Sequence, residues 1–160
     1  MGELLPDRPH ERAWRAVLKG HALLTTRLDA DLRRSAGISL AEYDVLVQLD
    51  EAPGRRLSMA GLARAVVYSR SGLTRLVDSL ENQGLVMRER NANDRRSWFA
   101  IITDKGRTIL KSAGRVHGAG VRDHFAAHAT DAQARALADV YGAIIADLAP
   151  DDPELRHYHP

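Results

Sequence analysis

Residues 58–102 constrain the fold of this chain most, because their hydrophobic period changes from helical to extended. Apolar residues at three- and four-residue steps predict two short helices, the first capped by Ser58 and the second by Ser69. The strand-forming runs 85–90 and 98–102 follow, with a polar, turn-prone segment between them. A helix-turn-helix followed by a β-hairpin predicts a winged helix-turn-helix.

Longer amphipathic helices are predicted on both sides of this motif. The pairs Ser39 with Glu42 and Thr130 with Gln133 form capping boxes, and Thr103 caps a helix that we expect to run to about Ala129. The predicted fold is mainly α with a small β-hairpin wing. It has a single domain over 1–160, a winged helix-turn-helix over 39–102, dimerisation helices over 11–36 and 103–149, and a tail over 150–160.

The outer helices predict a homodimer. Their apolar stripes, from Trp14 to Leu32 and from Leu137 to Leu148, are too long for one small central motif to cover. A second copy of the chain would cover them.

Several classes of function are disfavoured by what the sequence lacks. The chain has no cysteine, so disulfides and thiolate chemistry are excluded. It has no signal-peptide pattern and no apolar run long enough to span a membrane, so we expect a cytoplasmic protein without a membrane partner. No phosphate-binding glycine loop or catalytic triad context is present, so we expect neither an enzyme nor a cofactor.

The positive charge is concentrated in the middle of the chain. The net charge is only +2, but residues 55–96 contain nine arginines and four acids. A local basic surface is what binding to the phosphates of double-stranded DNA requires.

The predicted second helix of the motif provides a candidate reading surface. It presents Arg70, Ser71, Thr74 and Arg75 opposite its apolar stripe. An arginine can bond a guanine edge and a threonine a base or a phosphate, while Ser69 and Ser71 at the helix start can hold a phosphate.

The motifs in this region resemble those of the MarR family, the multiple antibiotic resistance regulators. They are the segments 73–81 (LTRLVDSLE), 84–86 (GLV), 94–97 (DRRS) and 103–106 (TDKG). The resemblance implies a homodimeric regulator that binds a palindromic operator, and we expect it to act as a repressor.

By the same resemblance, Arg96 enters the minor groove, Asp94 orients it and Arg95 contacts a phosphate. The resemblance also implies a small aromatic or phenolic effector that releases the DNA. Trp14 could wall a pocket for it, although a tryptophan at helical spacing with Val17, Leu18 and Leu24 is more often part of a dimer core.

Two alternatives were weighed against this interpretation. His117, His124 and His128 share a predicted helical face, with His21 as a further candidate ligand, but histidines there are more often ordinary packing residues, so no metal site is expected. A winged helix can also bind protein instead of DNA, since fold does not determine function. The exposed set of Thr74, Arg75 and Arg96 favours DNA.

Overall fold

The computed structural model of the chain describes residues 8–66, 70–91 and 97–149, without the side chains of Arg70 and Ser71. In these ranges the elements are α1 (Arg8–Ala36), α2 (Leu40–Glu51), a 3-10 turn (Pro53–Arg55), β1 (Arg56–Ser58), α3 (Met59–Ala65), α4 (Arg70–Asn82), β2 (Val86–Arg90), β3 (Trp98–Ile102), α5 (Asp104–His124), a second 3-10 turn (Ala126–His128) and α6 (Asp131–Leu148). The predicted fold class, mainly α with a small β-hairpin, is confirmed.

Capping interactions begin four of these helices where the sequence predicts. The Ser39 hydroxyl accepts a hydrogen bond from the Glu42 backbone N–H at 3.1 Å, and the Glu42 carboxylate accepts one from the Ser39 N–H at 2.8 Å. Side-chain caps at Ser58, Thr103 and Thr130 begin α3, α5 and α6. Each cap satisfies backbone donors that the first helical turn leaves without partners.

The boundaries differ from the expectations in three places. α1 already includes Arg8, the first described residue, whereas the expected start is Glu11. The predicted end of α5 near Ala129 is wrong, because the helix ends at His124 and a 3-10 turn follows Phe125. The sequence pattern does not indicate β1 at all, since a strand of three residues is too short to show a period.

The three strands form an antiparallel sheet in the order β1-β3-β2. The pairs between β2 and β3 include Val86 with Ile102, Arg88 with Ala100, and Arg90 with Trp98. Directly paired residues lie on the same face of a sheet, so these six side chains share one face. Its inner end is buried in the core at Val86, Ala100 and Ile102, whereas Trp98 at its outer end is 40% exposed.

One hydrophobic core lies between the helices and this face of the sheet. It includes Leu32 from α1, Leu46 and Leu49 from α2, Leu62 from α3, and Leu73, Val77 and Leu80 from α4. The buried stripe of α4 leaves its opposite side exposed, so the core determines which residues α4 presents outward.

The outer faces of α1 and α6 are apolar and exposed. Large side chains there include Trp14, Leu18 and Leu23 on α1 and Leu137, Val140, Tyr141, Ile144 and Leu148 on α6. Only Gly142 of α6 is buried. Within the described residues, no helix is both long enough and apolar enough to cross a membrane.

Candidate nucleic-acid interface

The exposed side of α4 carries the predicted reading residues. Thr74 and Arg75 are both exposed, while their neighbours Leu73 and Val77 are at most 1% exposed. Arg70 and Ser71 occupy the first turn of α4, as expected. Ser69 lies outside the described residues. Thr74 and Arg75, the described side chains of the predicted reading surface, therefore lie on one exposed side of α4.

The predicted wing residues Asp94, Arg95 and Arg96 lie outside the described residues. The stem of the hairpin that carries them is described. At its outer end, the Asn91 backbone N–H donates to the Ser97 carbonyl at 3.0 Å, so the two arms meet there.

Ion pairing divides the described arginine side chains of residues 55–96 into two groups. Arg55 pairs with Asp50 at 3.2 Å, Arg56 with Glu89 at 3.7 Å, and Arg88 with both Asp78 at 2.6 Å and Glu81 at 2.8 Å. Among the described residues, the exposed side chains of Arg64, Arg75 and Arg90 pair with no carboxylate. Charge counting along the sequence could not make this division, because every partner lies on a different element from its arginine, as Glu89 of β2 does from Arg56 of β1.

Arg88 connects the hairpin to α4. Its guanidinium binds Asp78 and Glu81 on α4, and its backbone N–H donates to the Glu81 carboxylate at 3.2 Å. The Arg88 side chain is only 21% exposed, so these contacts are partly shielded from water. The reader and the wing stem are therefore held in one relative orientation.

Glu42 connects α2 to the same C-terminal end of α4, through Ser79 and Gln83. One carboxylate oxygen accepts hydrogen bonds from the Ser79 hydroxyl at 2.7 Å and the Gln83 amide at 3.0 Å, while the other accepts from Ser39. Burial by itself raises the pKa of Glu42, but the hydrogen bonds from Ser39, Ser79 and Gln83 outweigh burial and lower that pKa below its usual value. The buried carboxylate is therefore held in its charged form against α4.

A groove of about 570 Å³ lies between α4 and the sheet. It is lined by Met59, Thr74, Asp78, Glu81, Arg88 and Trp98. Thr74 of the reading surface and Trp98 of the wing stem thus open onto the same side of the molecule.

A second groove, of about 430 Å³, lies between α1, α6 and the end of α5, and its lining includes His21, His124 and His128. Trp14 is 54% exposed and is not among the described residues that line this groove.

Three of the candidate metal ligands, His21, His124 and His128, line this second groove, whereas His117 is not among its lining residues. His117 stacks on Tyr43 with ring centroids 4.8 Å apart, and burial lowers the pKa of His117. His124 lies 3.5 Å from Asp31 of α1. His128 follows α5 in the 3-10 turn, so it is not one helical turn from His124. Among the described residues, no group of three or more His, Cys, Asp or Glu side chains could hold a metal ion.

Comparison with known proteins identifies the family. A family model described as MarR family matches residues 36–97. The structure resembles that of Sco3205 from Streptomyces coelicolor, a MarR family transcriptional regulator solved in complex with DNA. That resemblance has a TM-score of 0.86 and 33% sequence identity, over 94% of this chain and 94% of the other.

Curated proteins agree over shorter segments. The transcriptional regulator HosA of Escherichia coli O157:H7 is 33% identical over 72 residues, which are 45% of this chain and 52% of HosA. The transcriptional repressor MprA of Escherichia coli K12 is 30% identical over 78 residues, 49% of this chain and 44% of MprA. The match thus spans about half the length of these relatives. The chain belongs to the MarR family of transcriptional regulators, as the motifs between Leu73 and Gly106 predicted, and not to a family of enzymes.

Proposed function

We propose that this protein is a homodimeric transcriptional repressor that binds a palindromic operator in double-stranded DNA. The observation that carries the proposal is the outward face of α4, where Thr74 and Arg75 are exposed and Arg75 pairs with no described carboxylate. The side chain of Arg75 is therefore available for a guanine edge in the major groove. The hairpin stem beside α4 supports a second contact by the wing, whose predicted residues are Asp94, Arg95 and Arg96.

The outer helices are the basis for the proposed two-fold symmetric dimer. An isolated protomer would expose the apolar side chains of α6, which include Val140 at 57% and Leu148 at 77%. Burial of apolar area of this kind is the main driving force of protein association. A symmetric dimer presents two copies of α4, so the DNA it binds would carry two inverted half-sites.

The relatives support the regulatory part of the proposal. Sco3205 was solved in complex with DNA, and MprA is named as a repressor. Occupancy of an operator within a promoter would block the polymerase. This activity would take place in the cytoplasm, together with the operator DNA. Release by a small aromatic or phenolic effector completes the proposal on the strength of the family resemblance alone.

Selection from a randomised DNA pool tests the proposal. The purified protein should enrich one inverted repeat, and footprinting should show two protected half-sites about 10 base pairs apart, one turn of B-DNA. Placing that duplex upstream of a reporter gene should lower transcription when the protein is expressed. Failure to enrich any sequence would contradict the proposal and favour a winged helix that binds protein.

A further inference from the structure

We infer that Arg90, held on the ring of Trp98, makes an additional contact to the sugar-phosphate backbone of the DNA, between the groove read by α4 and the groove entered by the wing. The inference rests on the proposed DNA binding. It concerns the stem of the hairpin, which neither the motifs nor the reading surface includes.

Arg90 and Trp98 face each other across the strands β2 and β3, at the last pair before the loop. The guanidinium carbon of Arg90 lies 5.3 Å from the centroid of the Trp98 ring. A cation over the face of an aromatic ring is attracted by the ring's charge distribution, so Trp98 restricts the rotamers of Arg90.

No described carboxylate neutralises Arg90, so its positive charge is available to a partner outside the protomer. Arg88, two residues nearer the core on the same face, is neutralised by Asp78 and Glu81 of α4. One such step along a strand covers about 6.8 Å. The acids of α4 do not reach the next position, and no described carboxylate pairs with Arg90.

Arg90 and Trp98 face the same side of the molecule as the reading surface of α4. Arg90 and Trp98 share the sheet face that packs toward α4, and Trp98 lines the same groove as Thr74 of the reading surface. The pair is thus on the side of the molecule that DNA approaches.

The shape of the DNA duplex places a phosphate backbone between the two grooves that the protein would enter. A protein with α4 in the major groove and its wing loop in the adjacent minor groove must cross the phosphate backbone that separates them. The hairpin stem makes that crossing, and Arg90 is its cation without a described carboxylate partner. A guanidinium matches a phosphate in both charge and hydrogen-bond geometry.

Arg90→Ala and Trp98→Ala test the inference on two duplexes, one selected by the wild-type protein from a random pool and one scrambled. Arg90→Ala should weaken binding to both by a similar factor, roughly three- to tenfold at physiological salt. It should also reduce the slope of log affinity against log salt by about 0.9 for each subunit bound. Trp98→Ala should weaken binding less, and should add no further loss in the Arg90→Ala background, because Trp98 acts through Arg90.

Arg56→Ala is the matched control. Arg56 also stacks on an aromatic ring, Phe99 at 4.9 Å, but it lies on the opposite face of the sheet and pairs with Glu89. Arg56→Ala should leave the affinity for both duplexes and the slope of log affinity against log salt unchanged. Thermal melting verifies that each variant folds. If Trp98→Ala does not fold, Arg90→Ala alone decides the test.

Two outcomes would overturn the inference, and they differ from failure of the proposed function. If the wild type binds the selected duplex and Arg90→Ala keeps the wild-type affinity and salt slope, Arg90 contacts no phosphate. An equal loss in Arg56→Ala would mean that the effect is general charge attraction. If the wild type binds no duplex, the proposed function itself fails, and the inference with it.

Discussion

At the scale of single residues, the arginines near α4 differ in whether a carboxylate already neutralises them. Arg88 pairs with two acids of α4 and stabilises the framework, whereas Arg75 pairs with none that the structure describes. An ion-paired arginine must lose its partner's contact before it binds a phosphate or a base, so the two should contribute differently to DNA binding.

Arg75→Ala should therefore weaken binding to the selected duplex by about 1 to 3 kcal/mol and narrow the difference between that duplex and scrambled DNA. The physical reason is the loss of a guanidinium from the base edges, while alanine preserves the helix. Binding isotherms on both duplexes measure the change. Arg56→Ala removes the same charge from an ion-paired position and is the control. Equal losses on selected and scrambled DNA would show that Arg75 does not read sequence.

Glu42 gives a prediction on pH. Its pKa in the folded protein lies below its ordinary value of 4.5, so its contribution to stability is complete above that value and is lost as pH falls through the lower pKa of the folded state. Glu42→Gln should lower the free energy of unfolding at pH 7 by about 1 to 3 kcal/mol, because an amide cannot accept all the hydrogen bonds that the carboxylate accepts.

The difference in free energy of unfolding between wild type and Glu42→Gln should then shrink as pH falls below 4.5, since the wild-type carboxyl becomes neutral as well. Urea denaturation at several pH values measures it. Glu51→Gln, at the exposed end of α2, should show no such trend. A difference that stays constant between pH 7 and pH 4 would mean that the charge of Glu42 is not what holds α4.

At the scale of elements, α4 is held by a neighbour on each side. Glu42 of α2 binds Ser79 and Gln83, and Arg88 of β2 binds the acids of α4. The start of α5 completes the arrangement, because Lys105 donates to the Gln83 carbonyl at 2.7 Å. Because three elements hold α4, the helix would lose little conformational entropy on binding DNA in the proposed way.

Steric contacts explain why the Thr-x-x-Gly motif at the start of α5 requires glycine at its last position. Thr103 accepts a hydrogen bond from the Gly106 N–H at 3.0 Å and donates one to the Gly84 carbonyl at 2.8 Å. These bonds draw α5 against the turn after α4, where Gly84 has φ 70°. A Cβ on Gly106 would lie 2.2 Å from the Leu85 carbonyl oxygen, closer than any real contact.

Gly106→Ala should consequently lower the free energy of unfolding by about 1 to 3 kcal/mol, since the backbone of Leu85 must move. Gly114→Ala is the matched control on the same helix. Its Cβ would meet only the Tyr43 hydroxyl at an ordinary 3.8 Å, so we expect a neutral effect or a gain of up to about 1 kcal/mol. Denaturant unfolding measures both variants. A Gly106→Ala protein as stable as Gly114→Ala would contradict the steric account.

At the scale of the whole molecule, α6 contributes little to the core of its own protomer. Its capping box makes it a helix, but only Gly142 is buried, and its apolar side chains point away from the core described above. A second copy of the chain would cover this surface, and the symmetry of the proposed operator depends on that pairing.

Light scattering at micromolar concentration should give twice the chain mass of 17.7 kDa. Val140→Asp should shift the mass toward the protomer and abolish tight operator binding, because the substitution buries a charge in the apolar face. Arg135→Glu, a charge reversal on the opposite side of α6, should leave the dimer intact. A wild-type mass equal to that of one chain would remove the dimer and the palindrome from the proposal.

Local patterns in the sequence were enough to predict most helices and the hairpin. A cap at Ser39 or Thr103 and an apolar stripe along α4 depend on residues within about four positions of each other, so the amino-acid order alone contains the relevant contacts. The family motifs and the outward position of Thr74 and Arg75 follow from the same local order.

Contacts between distant segments were decided only by the tertiary structure. β1 is a strand because β3 lies beside it, with Leu57 paired to Ala100, and three residues have no extended preference of their own. Glu42 meets Ser79 and Gln83 across 37 and 41 residues. Which of the described arginines pair with a described carboxylate was decided in the same way, because neutralisation of a charge depends on distance in space, which the order of residues does not contain.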